Sequence, residues 1–491
     1  MPQTSSLASR ATLAVALMIG FYVLGLVIAA SLLFVPYAMW AYLGRVNLQI
    51  AIFCIITAGV ILLALIPRID RFLAPGPKLE PSQHPRLFQE ITRIANDVQQ
   101  QMPAEVYLVP EVNAWVMQRG GVMGFGSRRV MGLGLPLLQL LSTSQFRAVL
   151  AHEFGHYHGG DTQLGPWIYK TRAAIVRAVN NLAEQSSMVQ KPFLWYGNLF
   201  MRLTQAISRQ QEFTADALAA TKIGAKPLAD GLRLVHGAGG AFDVYWHNEV
   251  APVLNAGYRA PLVTGFARFV EAPMIVELIE KSLDEELKEG QSDPYDTHPP
   301  LRERLEAVAA LPAYANGQQL STDPPAITLF DNLPQLETEL FANLLEGQNV
   351  PQSLQLVSWE DTGARVFLPL WEELRNEHRA ALQGITPQSL PEWAGKLAEL
   401  GQKMRVEGKA WLTDEEAAEL AASVLSCALA VVLHRRGAAI QALPGEAVRL
   451  QIGTATIEPF NVIRQLAAGE LTAAAWQQQC EATGISTTEL G

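Results

Sequence analysis

Cysteine is nearly missing: the chain has three in 491 residues, Cys54, Cys427 and Cys480. They lie far apart and no pair has zinc-finger spacing. A disulfide framework and a cysteine-built metal site are excluded, and a reducing compartment fits. Basic residues are in deficit, with 37 Lys and Arg against 47 Asp and Glu and a net charge of −10. That balance argues against nucleic acid as a partner. Repeats and low-complexity tracts are absent, so the length suggests about two to four ordinary domains. The last absence is local. No charge occurs in the 34 residues between Arg10 and Arg45, nor in the 22 between Arg45 and Arg68.

Each uncharged run exceeds the roughly 20 residues that span a bilayer. They predict transmembrane helices over 12–35 and 47–66, a hairpin within residues 1–66. Tyr37, Trp40 and Tyr42 lie between them, as an interfacial belt would. A cleaved signal peptide would be shorter and would not be followed at once by a second run. Arg45 alone marks the turn, whereas Arg10 lies on one flank and Arg68, Arg71 and Lys78 on the other. The positive-inside bias then puts both ends in the cytoplasm. A multi-pass inner-membrane protein in contact with the lipid bilayer is expected, with everything after Ile66 cytoplasmic.

What is present is a five-residue cluster, His152-Glu153-Phe154-Gly155-His156. On a helix, positions i and i+4 share a face, so both imidazoles can reach one metal ion. The adjacent glutamate can reach a water on that ion, the arrangement of zinc peptidases. Ser142 and Gln145 have capping-box spacing and predict the helix start, and Gly159-Gly160 predicts its stop. Gly155 inside the helix costs about 1 kcal/mol against alanine and marks close approach by another element.

Two histidines leave Zn2+ under-coordinated, so a third protein ligand is needed. The extended pattern that places a third histidine six residues on is broken by Thr162. The best candidate is Glu212, in a small, apolar helical stretch that also carries Asp216 one turn later. Asp216 could hydrogen-bond a ligand histidine and fix its tautomer. Glu184 and Glu249 are weaker candidates, in polar or irregular stretches.

These residues resemble a known family. His152-Glu153-x-x-His156, Glu212 with Ala215-Asp216-x-x-Ala219, and Thr297-His298-Pro299-Pro300 look like the HtpX-like and CAAX-prenyl-protease-like membrane gluzincins. Asn113-Ala114-Trp115 is similar to that family's Asn-Ala-aromatic segment. The resemblance covers residues 80–310. It implies zinc ligands His152, His156 and Glu212, Glu153 as catalytic base, and His298 as a donor to the transition state. It also implies protein or peptide substrates drawn from membrane or misfolded proteins.

The rest of the chain predicts an α+β fold, largely helical around the site. Residues 85–100 read as a helix. Residues 106–109, 113–117 and 129–133 read as strands, the last two joined by a glycine-rich turn. Asn113-Ala114-Trp115 is the candidate substrate edge strand, since zinc peptidases bind substrate by strand addition. Residues 162–208 depart from the family by lacking an apolar run long enough to span, and read as amphipathic soluble helices that either touch the membrane surface at Phe193, Leu194, Trp195 and Tyr196 or pack in the core. The peptidase domain is expected over 67–315. Residues 316–491, which show no catalytic constellation, are expected to form an interaction or regulatory domain. The competing class is a non-catalytic membrane adaptor with a structural or vestigial zinc site.

Overall fold

The computed structural model describes residues 5–66, 72–120, 126–157, 165–183, 187–289, 299–311, 323–346, 354–405 and 412–491. They fall into two compact units, residues 1–239 with 281–333, and residues 240–280 with 334–491. The boundary expected near residue 315 lies outside the described residues.

Helices α1 (Ser5–Leu43) and α2 (Leu48–Leu65) cover the two uncharged runs. Asn47 caps α2, its side chain accepting from the Gln49 and Ile50 amides. Among the described residues, three helices are long and apolar enough to cross a membrane: Val15–Leu43, Leu48–Leu65 and Asp414–Arg435. The first two leave Leu26, Val27, Ile55, Ile56 and Leu63 exposed. Keeping such side chains in water forgoes about 25 cal/mol per Å² of burial. The third is different: Val424, Leu425, Ala428, Leu429 and Val432 are buried in the core of its own unit. Its apolar content is accounted for by packing.

After α2 comes a four-stranded sheet made of β1 (Lys78–Leu79), β2 (Glu105–Val109), β3 (Ala114–Arg119) and β4 (Arg128–Gly134). Its order is β1-β2-β4-β3. β2 and β4 run parallel, while β3 pairs antiparallel with β4, with Ala114 opposite Leu133 and Trp115 opposite Gly132. β3 therefore forms one edge. Helix α3 (Pro85–Asp97) buries Leu87, Ile91, Ile94 and Ala95 at helical spacing. A short α4 (Leu135–Leu140) leads into α5 (Thr143–Gly155).

Ser142 and Gln145 form the expected capping box at the start of α5. That start is also held from far along the chain. The Thr143 amide donates to the Pro324 carbonyl at 2.8 Å, and the Ser144 amide to Asp323 Oδ1 at 2.9 Å. The predicted stop at Gly159-Gly160 lies outside the described residues.

Helices α6 (Gly165–Ala183) and α7 (Ser187–Lys222) fall in the stretch read as amphipathic helices. Their apolar faces pack with α1 and α2. Ile175, Ala178 and Leu182 of α6 and Phe193 and Phe200 of α7 are buried with Phe21 of α1 and Ala58 and Ile61 of α2. The Tyr196 hydroxyl donates to the Leu17 carbonyl at 2.7 Å. An apolar stripe has the same 3.6-residue period whichever element covers it, so periodicity could not name the partner.

Helices α8 (Ala225–Tyr245), α9 (Ala251–Asn255), α10 (Leu262–Glu271), α11 (Pro273–Glu289) and α12 (Leu301–Ala309) follow. In the second unit, Tyr245, Phe266, Phe269 and Trp359 form an aromatic cluster. Glu337 accepts the Val263 amide at 2.8 Å, at the start of α10. The Asp414–Arg435 helix packs with Trp371, Leu450, Ile457 and Trp476 around one apolar core. An antiparallel sheet of residues 439–441, 449–452 and 455–457 lies on this unit.

Candidate metal centre

Two helices cross at the site, and a glycine allows it. A Cβ on Gly155 of α5 would lie 2.8 Å from the Ala215 Cα and 3.0 Å from its Cβ on α7. Only a residue without a side chain permits this approach. It brings Glu212 and Asp216, on α7, up to the histidines of α5.

His152, Glu153 and His156 hold their ligand atoms within 4.8 Å of one another. His152 Nε2 is 3.4 Å from Glu212 Oε2, and His156 Nε2 is 3.6 Å from Glu212 Oε1. The structure thus gathers the two histidines, Glu153 and Glu212. His152 Nδ1 lies 2.8 Å from Asp216 Oδ1. A proton on Nδ1 donates to that carboxylate and leaves Nε2 as a lone-pair donor facing Glu212. Ligands about 2.0–2.1 Å from a tetrahedral ion sit about 3.4 Å from each other. The spacing and the nitrogen and oxygen donors fit zinc.

Arg304 on α12 is a member of this cluster that sequence reasoning missed. Its Nη2 and Nε donate to the two carboxylate oxygens of Asp216 at 2.7 and 2.8 Å. Its Nη1 is 3.4 Å from Glu212 Oε2, and Nη2 is 3.5 Å from His152 Nε2. Arg304 is 4 % exposed and Asp216 1 %. One signal could have found it: Arg304 lies in the first turn of the helix opened by Pro299-Pro300, six residues after the His298 that the resemblance drew into the site. His298 itself lies outside the described residues, as does Glu184. Glu249 is in the second unit and accepts the Gly445 amide.

Burial and charge set the protonation of the cluster. Burial pushes the Glu153 carboxyl up, against the pull of His152, to about 7. Burial also opposes the ionisation of Glu212 and Asp216. Hydrogen bonds from His152 to the first and from Arg304 to the second bring both down to about 2. For His152, burial favours the neutral ring, but hydrogen bonds to Asp216 and Glu212 outweigh it and raise the group to about 9. Desolvation and the neighbouring His152 lower the half-buried His156 to about 4.

The candidate edge strand borders the same site. The Gly134 amide donates to the Asn113 carbonyl at 2.8 Å, so Asn113 faces β4. Backbone groups alternate along a strand, which turns those of Ala114 and Val116 to the outer edge. At Val116 the Tyr157 hydroxyl donates to the carbonyl at 2.8 Å. Trp115 lies over Gly132, where a Cβ would meet its ring at 2.3 Å and so must be absent. Asn113, Ala114 and Trp115 line a cavity of about 560 Å³ together with His152, Glu153, His156, Glu212 and Arg304.

Residues 81–311 match the model of peptidase family M48. The match bears out the resemblance read from the motifs and identifies this stretch as a metallopeptidase domain of that family. No curated protein and no solved structure matches the chain.

Proposed function

From this membership in peptidase family M48, we propose that the chain is a membrane-anchored, zinc-dependent endopeptidase of the gluzincin type. The observation that carries the proposal is the convergence of His152, His156 and Glu212 beside a half-buried Glu153, in a cavity bordered by a sheet edge. His152, His156 and Glu212 would hold the metal, and Asp216 would orient His152. Bound there, Zn2+ supplies a Lewis acid that brings a water toward a pKa of about 7. Substrate backbone pairs with the outer edge of Asn113-Ala114-Trp115 through the backbone groups of Ala114. Glu153 takes a proton as the water oxygen attacks the peptide carbonyl carbon, then delivers that proton to the leaving amine nitrogen. Burial raises the Glu153 carboxyl in the metal-free chain, the direction a group that accepts and returns a proton near neutral pH needs. His298 is assigned the hydrogen bond to the developing oxyanion.

The substrates are membrane or misfolded proteins, in a quality-control role. α1 and α2 anchor the chain in the inner membrane, with the site on the cytoplasmic side. Residues 316–491 act in interaction or regulation. The test is hydrolysis of an unfolded protein by the full chain in detergent, with and without chelator. Glu153→Gln should abolish hydrolysis while zinc content stays near one per chain, because the base is lost and the ligands remain. Near-wild-type activity in that variant would sink the mechanism. Zinc retention without hydrolysis in the wild type would favour the adaptor reading instead.

A further inference from the structure

We infer that Tyr157 is a stop on the sheet edge: it closes β3 at Val116, so a substrate strand pairs at Ala114 and must then leave the sheet. The inference deepens the peptidase proposal and rests on its edge pairing. Ala114 and Val116 are successive residues of β3 whose backbone groups turn outward. Their edges differ. Among the described residues no hydrogen bond occupies the Ala114 amide or carbonyl. Both outward groups of Val116 are taken, and both from the far end of α5. The Tyr157 hydroxyl donates to the Val116 carbonyl at 2.8 Å. The Val116 amide donates to the Glu153 carboxylate. An incoming substrate N–H would need that same carbonyl at about 2.9 Å. An added strand would run about 4.8 Å from β3, and at Val116 the phenol stands in that space.

Tyr157 is held in this position rather than free to swing. Its amide donates to the Phe154 carbonyl at 3.0 Å, and its own carbonyl accepts from Gln100 Nε2 at 3.2 Å. The Arg129 guanidinium, from β4, lies over its ring, 4.1 Å from the centroid. Arg129 in turn donates to the Gln101 carbonyl at 2.9 Å. Backbone and ring are fixed, and the hydroxyl stays at Val116. A substrate therefore gains the backbone bonds of Ala114 and none of the next pair, two residues along its chain. Its amide at that second position is not read, so a proline there loses no pairing.

Replacing one substrate N–H at a time by an ester oxygen reads the edge directly. The probes are peptides carrying a hydroxamate at one end or the other, so that both sides of the metal are sampled. Their binding to the zinc-loaded full chain is measured without turnover. In the wild type one position, the donor to the Ala114 carbonyl, should lose about 3- to 10-fold on ester replacement, the scale of one neutral hydrogen bond. In Tyr157→Ala a second position, two residues along, should become sensitive by a similar factor. The comparison is made within each protein, so a change in overall affinity does not enter. A single sensitive position in Tyr157→Ala would overturn the stop. So would two sensitive positions in the wild type, a result that needs no variant to fold. The expected pattern without cleavage of the matching peptides would refute only the peptidase proposal. Failure of every hydroxamate to bind, or insensitivity at every position, would refute the edge pairing and the stop together.

Discussion

Gly155→Ala tests whether the α5–α7 crossing builds the metal site. The new Cβ would sit 2.8 Å from the Ala215 Cα, 3.0 Å from its Cβ and 3.3 Å from its carbonyl oxygen. Carbon atoms prefer about 3.5–4.0 Å, so the helices must part by about 1 Å. Two of the three contacts are to backbone, which cannot rotate away. The substitution gains about 1 kcal/mol of helix propensity. Overpacking costs about 1–3 kcal/mol, so the net effect is a modest loss of stability. The larger effect falls on the metal. α5 carries both histidines and α7 carries Glu212, and ligand distances tolerate only about 0.2 Å. Zinc affinity should fall at least about 10-fold, as perturbed ligand support does. Ala215→Gly on top should rescue little, because the Cα clash remains. Chelator competition measures the affinity, and thermal unfolding of the zinc-free protein measures the stability. Wild-type zinc affinity in Gly155→Ala would refute the crossing as the element that sets the ligand geometry.

Other perturbations address the charges and the topology. Arg304→Ala removes one partner of a buried ion pair with Asp216 and should destabilise the zinc-free protein by about 3–5 kcal/mol; a denaturant midpoint shift worth under about 1 kcal/mol would contradict this. In the metal-free chain His152 is raised to about 9, above its unfolded value, so its proton stabilises the fold below about pH 6.5 and that contribution is lost as pH rises through 9. Zinc needs the neutral ring, so affinity should climb by up to about 10-fold per pH unit between 7 and 9, with proton release on binding; a flat profile by calorimetry would show that His152 is not a ligand. On the proposed topology, with both termini cytoplasmic, protease added to intact spheroplasts should spare the catalytic region until the membrane is permeabilised, and early digestion would reverse the topology.

Much of the site was legible from local rules. His152, Glu153 and His156 declare themselves because helical spacing alone decides which side chains share a face. The capping box at Ser142 and Gln145 and three of the four strands of the sheet were readable for the same reason: each depends on neighbours in sequence. The two uncharged runs, which became α1 and α2, needed only length and composition. Gly155 announced a close approach without saying to what.

What approached was a tertiary fact. Ala215 lies 60 positions along the chain, and only the packed crossing puts it against Gly155. Arg304 could not be assigned from its own segment, since its partners Asp216, Glu212 and His152 come from two other helices. The covering of α6 and α7 by α1 and α2 was decided the same way. So was the joining of residues 240–280 with 334–491. Periodicity specifies that a face is apolar and that a helix forms, but the partner of that face is fixed by shape and chain path. A buried charge similarly advertises a need for an opposite charge, and only the fold supplies its identity.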